Sequence, residues 1–348
     1  MKRWLLYLVS LSLGAQVIRT VPFELVRLDP ALDAIIAPGA QLEVLGEHFG
    51  LTEGPVWIRD GGYLLFSDCA ANVIYKWSPT EPLSVYLERS GFTGRDNLNV
   101  GQQTIAGRLA ILLIGSNGLA LDPQGRLIIT AMADRTLVRL EKDGTRTILA
   151  DRYDGKRLSG PNDVVVKSDG AIYFTDSVNG LRGGADGPLR ELPYSGFYLV
   201  KDGKLTLLGG DRDRPGENPN GIALSPDEKY LYVTAGRSKT YRYPVLADDT
   251  VGPGELFIEA GNDGLKTDLA GNVYSTNAVG QGQVIITSPA GKRLGIIQLP
   301  QIGGEPRPRI CADNVAFGDA DGKTLYITAC THLFRIHLKT AGLRAAQE

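Results

Sequence analysis

Ser159-Gly160-Pro161-Asn162-Asp163-Val164, continued by Val165-Val166-Lys167-Ser168-Asp169-Gly170 and Ala171-Ile172-Tyr173-Phe174-Thr175-Asp176, reads as a polar entry into a short apolar strand, an Asp-Gly turn, and a return strand of alternating aromatic and small residues. The unit recurs along the chain, each time with an oxygen-bearing side chain eight residues before the turn: Glu53 before Gly61, Asn117 before Gly125, Asn162 before Gly170, Asn220 before Glu228, Asp263 before Gly271 and Asn314 before Gly322. Acids and amides are a minority of residues. Finding one at this offset in every repeat points to six equivalent positions directed at a common place.

Around each unit the pattern extends to four strands. In the third repeat these are expected at residues 163–166, 171–175, 196–200 and 204–208. The sixth repeat holds only three, at 314–317, 324–328 and 333–337, which leaves an unpaired edge. An unassigned alternating segment near Leu42 to Glu47 precedes the first repeat and suits that edge. The pattern predicts an all-β chain, a six-bladed β-propeller over residues 41–340, its ring closed by an N-terminal strand that completes the last blade.

With 348 residues, 43 of them glycine and 19 proline, and no collagen period, the composition agrees with many short strands and turns. The 37 basic and 39 acidic residues nearly balance and form no basic block, so nucleic acid is not an expected partner. Three cysteines are too few for a disulfide framework. Lys2-Arg3 followed by the apolar run from Trp4 to Leu13, with Gly14-Ala15 beyond it, reads as an export signal within residues 1–20. That predicts a periplasmic or secreted protein with no membrane span after cleavage. Residues 17–40 read as a mixed leader in which Pro22, Pro30 and Pro38 argue against a long helix.

If each innermost strand begins at the upper face, then Glu53, Asn117, Asn162, Asn220, Asp263 and Asn314 ring the upper mouth of the central channel. Two long connections, residues 88–116 and 176–195, lie on the same face and are expected to wall the site. Carboxylates and amide oxygens converging without cysteine or histidine suit a hard cation, calcium first, with magnesium, manganese or zinc as alternatives. A single asparagine before a strand more often caps a turn. Two carboxylates at a channel mouth, by contrast, repel unless a positive charge sits between them.

Glu53-Gly54-Pro55-Val56-Trp57, the run from Lys156-Arg157-Leu158 through Pro161-Asn162-Asp163, Pro219-Asn220-Gly221 and Asp263-Gly264-Leu265 resemble the gluconolactonase / senescence-marker-protein (regucalcin-like) family. That resemblance implies a propeller with one divalent cation in its channel, ligated by Glu53, Asn162, Asn220 and Asp263, with Asn117 beside it toward substrate. It also implies hydrolysis of a small-molecule lactone or ester, with Asp263 as general base. The family's fluorophosphatase-like branch makes a phosphotriesterase the alternative enzyme, and a propeller binding module is the non-enzymatic one. Animal sugar lactonases of the family carry an arginine two residues before the asparagine; here that position is Gly160, which leaves the sugar pocket open to other contacts, such as Gln102 and Gln103.

Asn314 completes the expected ring as a substrate contact, and His332, on a top loop, is a candidate proton shuttle at the substrate. Cys311 and Cys330 flank the sixth repeat's hairpin and suit a disulfide in an exported protein; Cys69 is expected free and buried. No G-x-S-x-G elbow and no Cys-His pair indicate a covalent nucleophile.

Overall fold

The protein is described by a computed structural model covering residues 18–98, 100–105, 109–213, 217–236, 238–277, 281–301 and 310–343. Six antiparallel sheets follow one another along the chain, each ordered as consecutive hairpins, and together they form a six-bladed propeller. The innermost strands are Thr52–Ile58, Leu119–Leu121, Pro161–Val166, Pro219–Leu224, Leu265–Thr267 and Asn314–Gly318. These strands and their first neighbours are apolar on both faces because both faces pack against adjoining blades. Val56, Leu65, Leu119 and Ile129 join the first two blades, and Phe66, Trp77, Tyr326 and Leu333 join the last to the first. Outermost strands such as Ser84–Glu88 lie largely exposed to solvent.

The expected closure is present. Leu42–Glu47 runs antiparallel to His332–His337, with Leu42 opposite Ile336 and Val44 opposite Phe334, and supplies the last blade's fourth strand. The Arg335 guanidinium bonds the Glu43 carboxylate across this seam at 2.6 Å.

The leader is more regular than its prolines imply. Arg19–Val21 adds a fifth strand outside Leu42–Val44, and Glu24–Arg27 adds one to the fifth blade beside Arg293–Gln298. A short 3-10 turn, Pro30–Ala34, follows, with Asp29 capping it through Ala31 N–H at 2.8 Å. The prolines exclude helix as read, but strands of three and four residues carry too little alternation to announce themselves. The export signal expected within residues 1–20 lies outside the described residues up to Val17, and Arg19 and Thr20 belong to the first of these strands.

One series of hydrogen bonds sets the upper mouth. Ser67, Thr130, Thr175, Thr234 and Thr276, near the ends of second strands, donate their hydroxyls to the backbone carbonyls of Asn117, Asn162, Asn220, Asp263 and Asp313 in the following blade, at 2.5–2.8 Å. Thr52 makes the corresponding closure from the first blade, donating to the carbonyls of Cys330 and His332 at 3.0 and 2.9 Å. Every such hydroxyl is buried, so each bond is strongly favoured over an unmade one.

Candidate functional site

The hydroxyl series identifies the sixth ring position as Asp313, not Asn314. The reason is an extra residue in the sixth blade's inner strand, which stays paired through Gly318, one position further from the ring than Val166 or Thr267 in their blades. Gly322 N–H bonds the carbonyl of Asp319, as Gly170 bonds Lys167 and Gly271 bonds Asp268. Asp319 has φ +64°, and six residues rather than five separate it from the ring position. The first blade is lengthened in the same way: its turn glycine is Gly62, with φ +63°, not Gly61. Asn314 faces the channel interior instead. Its side chain packs on Gly264, where a Cβ would come within 2.1 Å of Asn314 Cγ, and its Oδ1 accepts the Val315 N–H at 2.9 Å.

Glu53, Asn117, Asn162, Asn220, Asp263 and Asp313 thus form the floor of a cavity of about 640 Å³ at the upper mouth. Both long connections contribute walls, as their length led one to expect: Gln102, Gln103 and Leu113 from one, and Asn179, Leu181, Gly183 and Gly184 from the other. The first folds as a hairpin, Gln102–Ile105 with Leu109–Leu112, docked on the second through Gly101 N–H to the Gly180 carbonyl at 2.9 Å. Asn218 and Asn262 complete a wall dominated by amides.

Glycine makes this approach possible at two places. Gly54 has φ +47°, and a Cβ there would lie 2.0 Å from the Asn117 carbonyl oxygen. Gly160 faces Gly180 so closely that a Cβ would lie 2.7 Å from Gly180 Cα. No side chain, arginine included, fits at that position. Arg157 turns away, donating to the Asp134 carbonyl at 2.8 Å.

The electrostatics of the floor are lopsided. Glu53, Asp263 and Asp313 are 5%, 9% and 2% exposed. Burial, and then the neighbouring carboxylates, push Glu53 and Asp263 well above the usual carboxylate range; burial pushes Asp313 up to about 7. Among the described residues no lysine, arginine or histidine forms an ion pair with any of the three. Asp163, one residue beyond Asn162, has the cationic partner they lack, the Lys266 ammonium at 3.6 Å, and also accepts from the N–H groups of Val164 and Ile222 at 2.9 and 3.3 Å. Asn117 Oδ1 is buried with no hydrogen-bond partner. The donor set is therefore oxygen only, negatively charged and incompletely satisfied, as a site for a hard cation should be.

His332 is not in this cavity. It opens a strand rather than a loop, stacks on Phe334 with rings 5.6 Å apart, and faces outward to Glu47 at 3.5 Å and to the Thr331 hydroxyl at 2.9 Å. Burial lowers its pKa from 6.5 to about 4. The unfolded chain takes up this proton near pH 6.5 and the folded chain only near 4, so the stability tied to the neutral ring is whole above 6.5 and lost as pH falls toward 4. Thermal melts at pH 7.5 and 4.5 should show a smaller acid loss for His332→Gln than for the parent; equal losses would contradict this.

Cys69 is free and buried, its thiol donating to the Ser116 carbonyl at 3.1 Å, and Cys311 and Cys330 are joined in a disulfide. The hydroxyl series was the signal available in the sequence but not used: a serine or threonine near the end of every second strand, here Ser67, Thr130, Thr175, Thr234, Thr276 and Thr328.

Known proteins share this architecture. The family model described as the SMP-30/gluconolactonase/LRE-like region matches residues 51–331. A gluconolactonase of Zymomonas mobilis is 32% identical over 335 residues, which cover 92% of this chain and 87% of that protein. The solved gluconolactonase of Xanthomonas campestris superposes with a TM-score of 0.71 at 28% identity, over 92% of this chain and 97% of that one. A regucalcin from Agrobacterium tumefaciens, described as calcium-binding, shares the fold with a TM-score of 0.65 at 18% identity, over 87% and 97% of the two chains. With the match running from the first blade into the last, the chain belongs to the SMP-30/gluconolactonase/LRE-like family.

Proposed function

We propose that this protein is a divalent-cation-dependent lactonase acting at the upper mouth of the propeller. The observation that carries this is the floor itself: three buried carboxylates without a cationic partner among the described residues, beneath an amide-walled cavity, in a chain similar to a gluconolactonase along nearly its whole length. Glu53, Asn162, Asn220 and Asp263 are the residues that would hold the cation; calcium suits the all-oxygen set best, and magnesium, manganese and zinc are tested beside it. When bound, the cation polarises the lactone carbonyl and stabilises the charge that develops on its oxygen.

The chain's own residues do the rest. Asp263 takes a proton from the attacking water. The water's oxygen bonds to the carbonyl carbon, the ring C–O bond breaks, and Asp263 returns the proton to the released alkoxide to give a hydroxy acid. Asn220 lines the floor beside Asp263 and favours its charged form. Asn117, with its unsatisfied Oδ1, offers an acceptor to a substrate hydroxyl. Gln103 and Asn179 supply further amide contacts where Gly160 leaves no room for an arginine. Export to the periplasm or beyond is part of the proposal; the Cys311–Cys330 disulfide supports an oxidising compartment.

The test is turnover of aldonolactones, acyl lactones and organophosphates by metal-stripped protein, with each divalent cation added back in turn. Aldonolactone hydrolysis restored by a cation is expected. Hydrolysis of organophosphates alone would transfer the site to phosphotriester chemistry, and no turnover with any cation would leave a binding module.

A further inference from the structure

We propose, on the basis of the cation site proposed above, that Asp313 is an additional oxygen donor facing the cation and that the Cys311–Cys330 disulfide is the device that positions it. Asp313 stands at the sixth ring position, lines the cavity floor, and lies close enough to Glu53 and Asp263 to raise both. The disulfide brackets it. Cys311 is two residues upstream, and the Cys330 N–H donates to Asp313 Oδ2. A carboxylate oxygen of Asp313 lies within 4.8 Å of both sulfurs. Because those sulfurs are bonded to each other, they are not thiolate ligands, and their proximity is mechanical rather than coordinating.

Comparison among blades gives the disulfide its role. In the first blade Asp68, at the end of the second strand, accepts from the N–H groups of Gly50 and Leu51 at 2.8 and 3.1 Å and so ties down the chain two and three residues before Glu53. In the third, Asp176 does the same through Ser159 and Gly160 at 2.9 and 2.7 Å, before Asn162. The sixth blade has Ala329 at this place and cannot make the lock. There the disulfide ties position 311, two residues before Asp313, to residue 330, with Cα atoms 5.4 Å apart. Three ring residues are thus aimed by one device in two chemical versions, and in the sixth blade that device is covalent.

Cation affinity should therefore depend on the disulfide, and only through Asp313. The experiment is calorimetric titration of calcium into metal-stripped protein. It compares the oxidised chain, the chain reduced with a phosphine, and a Cys311→Ala/Cys330→Ala variant, each in the parent and in an Asp313→Asn background. Near-UV circular dichroism verifies the fold, and the double variant stands in if reduction unfolds the chain. Opening the disulfide should weaken calcium binding about 10-fold or more, the scale of losing a supporting contact at a metal site. Asp313→Asn should weaken it at least as much and abolish any further effect of opening. Equal affinity of the folded oxidised and opened chains would overturn this inference alone, as would an equal loss in both backgrounds. No calcium uptake by the oxidised parent would overturn it together with the cation site it rests on.

Discussion

Asp263→Asn should cost about two to four orders of magnitude in kcat on an aldonolactone, the span expected for removing a positioned general base, while the protein still takes up its cation. The backbone around Asp263 gives the prediction its sharpness. Its carbonyl accepts the Thr234 hydroxyl at 2.6 Å, and its N–H donates to the Thr276 carbonyl at 3.3 Å. Asparagine has the same shape and keeps one carbonyl oxygen toward the ring, so neither strand nor floor need move. What disappears is the second oxygen, the one able to accept a proton. Steady-state kinetics beside cation titration separates the two roles. Full turnover with retained binding would show that another group takes the proton; lost binding would show that Asp263 serves the cation first.

Glu53→Gln should act in opposite directions on the metal-free and metal-loaded protein. Without a cation, Glu53 is a buried carboxylate beside Asp313 and Asp263, so neutralising it relieves repulsion and the melting temperature rises. With a cation, the variant lacks one of its acidic ligands, and affinity falls by at least the ~10–100-fold typical of merely supporting contacts. The parent at a free cation concentration 100 times Kd gains about 2.7 kcal/mol of stability, and the variant at the same concentration about 1.4 kcal/mol after a 10-fold loss of affinity or about 0.4 kcal/mol after a 100-fold one. Melts with and without cation measure both arms. A variant whose metal-free melting temperature falls would mean that the Glu53 carboxylate is held by partners other than a cation.

Most of the architecture was legible because a propeller repeats its grammar. A polar entry, an apolar strand and a turn, met six times, establish the blades, and a missing fourth strand in the last one calls for Leu42–Glu47. The ring was legible at five positions of six. The sixth slipped by one because its inner strand pairs for one residue more, through Gly318, before the turn begins, and spacing alone does not reveal which strands are longer. In the first blade the same lengthening did no harm only because Gly61 and Gly62 are adjacent. His332 misled for a related reason: counting placed it in a loop, whereas pairing with the closing strand turns its ring outward to Glu47. The leader strands pair only with edges that the rest of the fold creates, so their own residues hold little sign of them. The lock on Asp313 needed coordinates, because it joins features 19 residues apart whose relation depends on the hairpin between them.

The proposed function requires one cation, caged by oxygen donors of several blades, for lactone opening. The most direct test strips the protein of metal and titrates calcium back while recording heat and aldonolactone turnover in parallel. No turnover is expected at the start, with a single site per chain and activity that rises in step with its occupancy. Turnover that is unchanged by stripping, or that is complete before any calcium is bound, would contradict it.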